Sequence, residues 1–141
     1  MSEKKIGGVI VSHGNLATEL LAAANKVVGD LNHIAAVSID WNDNVENAKD
    51  QISKAIKTVS KGSGVIILTD MFGGTPTNIS AMFIAENEVE IVTGVNLPMV
   101  IKLASQRNEM SLIDLAKAIE EQGKSSIYRA SELLVPQKMA K

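Results

Sequence analysis

The sequence predicts an α/β domain with an open, mostly parallel sheet and helices on both faces. Short apolar stretches alternate with segments of helical periodicity, the pattern of strand–helix–strand units. The apolar stretches are continuous rather than alternating, as strands are when helices cover both sheet faces. Glycine, asparagine and proline punctuate the junctions. The order reads β-α-β-α-β-α-β-α-α-β, within one domain over residues 1–134. Residues 135–141 read as a flexible tail.

Residues 6–12 form an apolar run ended by His13-Gly14 and read as a buried strand. Asn15 is placed to cap a helix, with Glu19 near its start. Leu16, Leu20, Leu21, Ala24, Val27 and Val28 recur at helical spacing, and Gly29 closes that helix. Residues 34–40 read as a second strand. Val45, Ala48, Ile52, Ala55, Ile56 and Val59 make a second helical stripe, broken by Lys61-Gly62-Ser63-Gly64.

Residues 65–69 are the most strand-like stretch and end at Asp70. Thr75 as cap and Pro76 at the first helical position predict a helix to about residue 86. Residues 89–93 are a fourth strand, and Gly94-Val95-Asn96-Leu97-Pro98 sets up a helix through about residue 106. Ser111 and Asp114 resemble a capping box and open a last helix, closed by Gly123. Residues 126–129 read as a short terminal strand.

Composition narrows the function. Sixteen acidic against fourteen basic residues give a net charge of −2, without the basic footprint that nucleic-acid binding needs. The absence of cysteine excludes disulfides, thiol nucleophiles and cysteine-based zinc sites. His13 and His33 are the only histidines, too few for a His-rich metal site, so no metal or cofactor is expected. Aromatic residues are 3% of the chain, so the core must be aliphatic. The N-terminal apolar run is shorter than the roughly 7–15 residues of a signal sequence. No run approaches the roughly 20 apolar residues of a membrane span. The expectation is a cytoplasmic protein with no membrane insertion.

In open α/β sheets, ligands bind outside the carboxyl ends of the strands. His13 follows the first strand and Asp70 the third. If those strands are neighbours, both side chains emerge at one crevice. Gly73-Gly74-Thr75 lies beside them and leads into a helix, whose amides and dipole can hold an anion. A neutral imidazole has one free lone pair and is a good nucleophile toward phosphorus. A carboxylate on the other ring nitrogen fixes the tautomer and stabilises positive charge on the ring. Glycines let the backbone approach the phosphate. These segments contain no Arg or Lys, and no nucleotide-binding glycine fingerprint with Lys is present, which argues against a kinase. His33 reads as solvated surface at the opposite end of the sheet. Trp41 reads as a loop anchor or a docking residue, and Met71 and Phe72 as a partner patch or a cover for the helix below.

The segments Val11-Ser12-His13-Gly14, Asp70-Met71-Phe72-Gly73-Gly74-Thr75-Pro76-Thr77-Asn78 and Gly94-Val95-Asn96-Leu97-Pro98-Met99 carry a resemblance. They are similar to the IIA component of the mannose family of the bacterial phosphoenolpyruvate:sugar phosphotransferase system. The resemblance runs from about residue 6 to residue 134. It implies a parallel sheet in the order 2-1-3-4, with a terminal antiparallel strand near residues 126–129 exchanged in a homodimer. It implies that His13 takes a phosphoryl group from phospho-HPr and passes it to a IIB protein. Asp70 would orient His13, and Gly14, Gly73, Gly74 and Thr75 would lie around the phosphate. Trp41, Met71, Phe72 and Asn96 are then assigned to the partner-facing rim. A separate IIB partner and indirect association with membrane sugar-transport components follow. The sequence departs from the resemblance after the second strand. Related proteins often carry a Pro-Gly turn there, whereas this chain has Asp40-Trp41-Asn42-Asp43-Asn44, which must turn by Asn/Asp chemistry. Two alternatives stay open: the phosphotransfer subunit of dihydroxyacetone kinase, and a regulatory module of the same fold.

Overall fold

Four strands make one parallel sheet: β1 (Gly7–His13), β2 (Ile34–Ile39), β3 (Val65–Thr69) and β4 (Val89–Thr93). Their order is β2-β1-β3-β4, as the resemblance implied. The computed structural model describes residues 5–29, 31–85, 88–106 and 110–134. The helices are α1 (Leu16–Val28), α2 (Val45–Val59), α3 (Gly74–Ser80), α4 (Leu97–Ala104), α5 (Leu112–Ser125) and α6 (Ala130–Leu133).

Successive strand residues face opposite sides of the sheet, so both faces need apolar cover. Val9, Val11, Val37, Ile39 and Ile67 pack with Ala48, Ile52 and Val59 of α2 and Ile79 of α3. Ile10, Ile66 and Leu68 pack on the other face with Ala17 and Ala24 of α1, Leu103 of α4, and Leu115 and Ile119 of α5. The buried core is aliphatic, as composition required.

Gly7 and Gly8 admit the helices close to β1. A Cβ on Gly7 would lie 2.5 Å from the Val59 carbonyl oxygen, and one on Gly8 would collide with Leu103 Cδ2. Gly7→Ala therefore pits two effects against each other. Alanine in place of a strand glycine gains about 0.5–1 kcal/mol of backbone entropy. Overpacking costs about 1–3 kcal/mol, and the obstacle at Gly7 is backbone that cannot rotate away. The expected outcome is a lower urea midpoint with an unchanged slope. An unchanged or higher midpoint would contradict this packing.

Several boundaries differ from the sequence reading. Asn15 makes no side-chain cap; Ser12 Oγ instead accepts from the Ala17 amide at 2.7 Å and secures the start of α1. α3 starts before Thr75, with Gly73 at its cap, so Thr75 is not the cap and Pro76 is the third helical residue. It stops at Ser80, and a 3-10 turn over Ala81–Phe83 follows. The helix is shorter than the sequence expectation because Ala85 pairs back onto Val89 just ahead of β4. Gly123 does not end the last helix, which continues to Ser125. Its own reason is close packing, since a Cβ there would lie 2.6 Å from Met99 Sδ.

Residues 126–129 form no strand; Ser126 turns the chain and the short helix α6, absent from the sequence reading, follows. A strand exists only where a neighbour supplies a ladder, and the single chain supplies none to this segment. Ile127 and Tyr128 are exposed. His33 is not solvated surface but buried, and its carbonyl accepts from the Gly8 amide at 2.9 Å. The tail expected over residues 135–141 lies outside the described residues.

Candidate functional site

β1 and β3 are parallel neighbours, so their carboxyl ends open at the same edge of the sheet. His13 ends β1 and Asp70 directly follows β3. Asp70 Oδ2 accepts from the His13 backbone amide at 2.9 Å and lies 2.8 Å from His13 Nδ1. One carboxylate oxygen thus fixes both the main chain and the ring of the same residue. The other, Oδ1, is buried without a hydrogen bond among the described residues. Only 20% of the His13 side chain and 11% of the Asp70 side chain are exposed.

With Nδ1 directed at Asp70, Nε2 is the free ring nitrogen. It faces the Gly73–Gly74 turn: a Cβ on Gly74 would lie 3.2 Å from His13 Cε1 and 3.4 Å from Nε2. Gly73 and Gly74 take φ of 85° and 82°, a left-handed conformation that side chains disfavour. The backbone there is held from below. Thr77 Oγ1 donates to the Met71 carbonyl at 2.6 Å, which commits its only hydrogen. Thr69 Oγ1, 2.8 Å away, must then be the donor to Thr77. This buried hydroxyl chain ties the loop after Asp70 to the end of β3.

The other sequence-assigned residues divide. Gly14 has φ +57°, and its amide donates to the Ile39 carbonyl at 2.9 Å, so that amide is engaged within the fold. Thr75 is exposed beside the turn. Met71, Phe72 and Trp41 are exposed at the rim. Trp41 is too exposed to be a buried loop anchor; its indole stacks on His13 with ring centroids 4.9 Å apart and planes 25° apart. Asn96 is spent inside the fold: Oδ1 accepts from the Met99 amide at 3.1 Å and Nδ2 donates to the Gly123 carbonyl at 3.3 Å.

Sequence reasoning missed Ser12, Thr69 and Thr77, which do not touch the reacting ring but hold the segments that do. Their one signal is a hydroxyl at the carboxyl end of an apolar strand or just inside the following helix. Among the described residues no group of three or more His, Cys, Asp or Glu side chains could hold a metal ion. None of their helices is long and apolar enough to cross a membrane. A cleft of about 620 Å³ opens elsewhere, between the β4 edge and α5, and Phe72 stands at its border with the site rim. Within it Lys124 pairs with Glu120 at 2.9 Å and holds that carboxyl below its usual range.

A family model described as "PTS system fructose IIA component" matches residues 7–120. The chain is 30% identical over 136 residues to the fructose-specific EIIA component of the PTS of Bacillus subtilis strain 168, covering 96% of this chain and 93% of that one. It is 28% identical over 108 residues to the sorbose-specific EIIA component of Lacticaseibacillus casei, covering 76% and 78%. The solved mannose/sorbose-specific IIA subunit from Enterococcus faecalis shares the fold with a TM-score of 0.81 at 28% identity, over 94% of this chain and 98% of that one.

Proposed function

This chain belongs to the family of PTS fructose IIA components, the IIA proteins of sugar phosphotransfer, and we propose that His13 is the residue through which it carries the phosphoryl group. The observation that carries this reading is the 2.8 Å contact between His13 Nδ1 and Asp70 Oδ2, which leaves Nε2 facing the Gly73–Gly74 turn.

Phospho-HPr is the donor. The Nε2 lone pair forms the N–P bond as the bond from phosphorus to the donor breaks, and the donor keeps that electron pair. Nδ1 retains its proton, hydrogen-bonded to Asp70. The ring therefore becomes positive as the N–P bond forms, directly opposite the carboxylate. Transfer to a IIB protein reverses the charge change: the N–P electron pair returns to Nε2 and the neutral ring keeps its tautomer. Amides of the 73–75 turn and the Thr75 hydroxyl meet the phosphoryl oxygens. The segments 12–15, 40–44 and 70–75 contain no Lys or Arg, so none of them supplies a fixed cation to trap the phosphate. That suits a carrier that must release what it accepts. The exposed rim of Met71 and Phe72 is the landing surface for donor and acceptor in turn.

Gly74→Ala tests the geometry. A Cβ there needs a strained φ and crowds the Nε2 edge of the ring. Acceptance from phospho-HPr is expected to slow about tenfold or more, as small misplacements of reacting groups do. A rate equal to that of the unsubstituted protein in a rapid-quench assay would mean that Nε2 faces elsewhere. The function itself is tested by incubation with phosphoenolpyruvate, enzyme I and HPr, followed by a cognate IIB protein. An acid-labile phosphohistidine that discharges onto IIB is expected. Failure to label with competent partners contradicts the reading, and label that passes only to a dihydroxyacetone kinase subunit reassigns the acceptor.

A further inference from the structure

We propose that Trp41 is a positioning residue for the phosphoacceptor, whose indole face favours the positively charged state of the His13 ring. The inference rests on the reading of His13 given above. Trp41 is 76% exposed, so burial in the core does not explain where it sits. Its placement is explained by the ring it covers. The centroids are 4.9 Å apart, inside the roughly 6 Å range over which an aromatic face attracts a cation.

The direction of contact matters as much as the distance. The Nδ1 proton and the Nε2 lone pair both lie in the plane of the imidazole. Asp70 meets the first and the Gly74 backbone lies beside the second. Trp41 lies against the face of the ring. It leaves the in-plane path to Nε2 open, so it is a wall of the site rather than a lid. Asp70 and Trp41 together fix the ring's tilt, and the indole adds a preference that Asp70 alone does not give through packing. A neutral imidazole gains only stacking from an indole, while a protonated or phosphorylated ring also gains cation–π attraction.

The loop is built to present this side chain. The Asp40 amide donates to Asp43 Oδ2 at 3.0 Å, Asn47 Nδ2 donates to Asp43 Oδ1 at 3.2 Å, and Asn44 Oδ1 accepts from the Asn47 amide at 2.7 Å. Asp40, Asp43 and Asp70 are the charged side chains of the segments 12–15, 40–44 and 70–75, and all are acidic. Of these, Asp70 is the one that contacts the His13 ring.

Because Trp41 is the only tryptophan, its emission reports this one contact. The first arm needs no phosphate. A protonated imidazole stacked on an indole quenches its emission, so emission should rise in one step as His13 loses its proton, and His13→Gln should remove that step. The second arm measures the ratio of phosphorylated to free protein at equilibrium with phospho-HPr. Trp41→Ala should lower that ratio about 2- to 5-fold, and Trp41→Phe, which restores an aromatic face, should recover much of it. A merely structural role would not give this order of variants in folded protein with unchanged circular dichroism. An emission profile with no His13-dependent step, or a Trp41→Ala ratio equal to that of the unsubstituted protein, overturns the inference. Absence of phosphorylation in the unsubstituted protein would sink the reading of His13 instead, and the emission arm would still decide the role of Trp41.

Discussion

Replacing His13 with glutamine should abolish phosphoryl acceptance from phospho-HPr while leaving the fold intact. Glutamine is polar and of similar reach, but its amide has no nucleophilic lone pair at neutral pH. Only one other histidine could compensate. His33 is buried and precedes the first residue of β2, whereas His13 pairs with Ile39 at the far end of the same strand. The two imidazoles thus belong to opposite ends of the sheet, and a phosphate at His13 is out of reach of His33. Label from phosphoenolpyruvate, passed through enzyme I and HPr, should fall to background in His13→Gln. It should persist in His33→Gln, corrected for any loss of folded protein. Full labelling of His13→Gln would remove the basis of the mechanism.

Asp70→Asn should be nearly as damaging, for a subtler reason. The carboxylate oxygen holds the His13 backbone amide and ring at once. An asparagine carbonyl can still accept one of these bonds. Its amino group, however, can donate to Nδ1, which moves the ring proton to Nε2 and uses up the lone pair that must attack phosphorus. The substitution also removes the negative charge opposite a ring that turns positive. In a serine protease the corresponding change costs about 10⁴-fold through the wrong tautomer. A fall of roughly 10²- to 10⁴-fold in the maximal transfer rate is expected here. Saturation with phospho-HPr should change little, because Asp70 is largely buried, whereas the rim proposed to meet HPr is exposed. A maximal rate within threefold of the unsubstituted protein, measured by rapid quench, would show that Asp70 is not the orienting group.

The fold was legible wherever one physical signal dominated. Residues 65–69 and 89–93 are strands with the boundaries their apolar runs indicate. Asn96 and Ser111 cap the helices they precede, through bonds to Met99 and Asp114. Misreadings arose where a distant contact outweighed a local one. Gly123 has the form of a helix stop, yet Met99 of a neighbouring helix is what excludes a side chain there. The helix after Gly73 is cut short by the pairing of Ala85 with Val89. Residues 126–129 have strand-like composition but no ladder to join in a single chain.

The site shows the same division. Two parallel strands in register bring His13 and Asp70 together, so their meeting followed from strand order and one general rule. The stack of Trp41 on His13 depends on how an irregular Asn/Asp loop turns, and no periodicity encodes that. The Thr69–Thr77–Met71 chain was likewise invisible, because a buried hydroxyl finds its partner only after the backbone has been placed.

The most direct measurement is to identify the nitrogen that carries the phosphoryl group. The protein, labelled with nitrogen-15 in its histidines, is phosphorylated through HPr and observed by proton–nitrogen correlation. The expected result is phosphorus on Nε2 of His13, with Nδ1 still protonated against Asp70. Phosphorus on Nδ1, or on any residue other than His13, would contradict the mechanism.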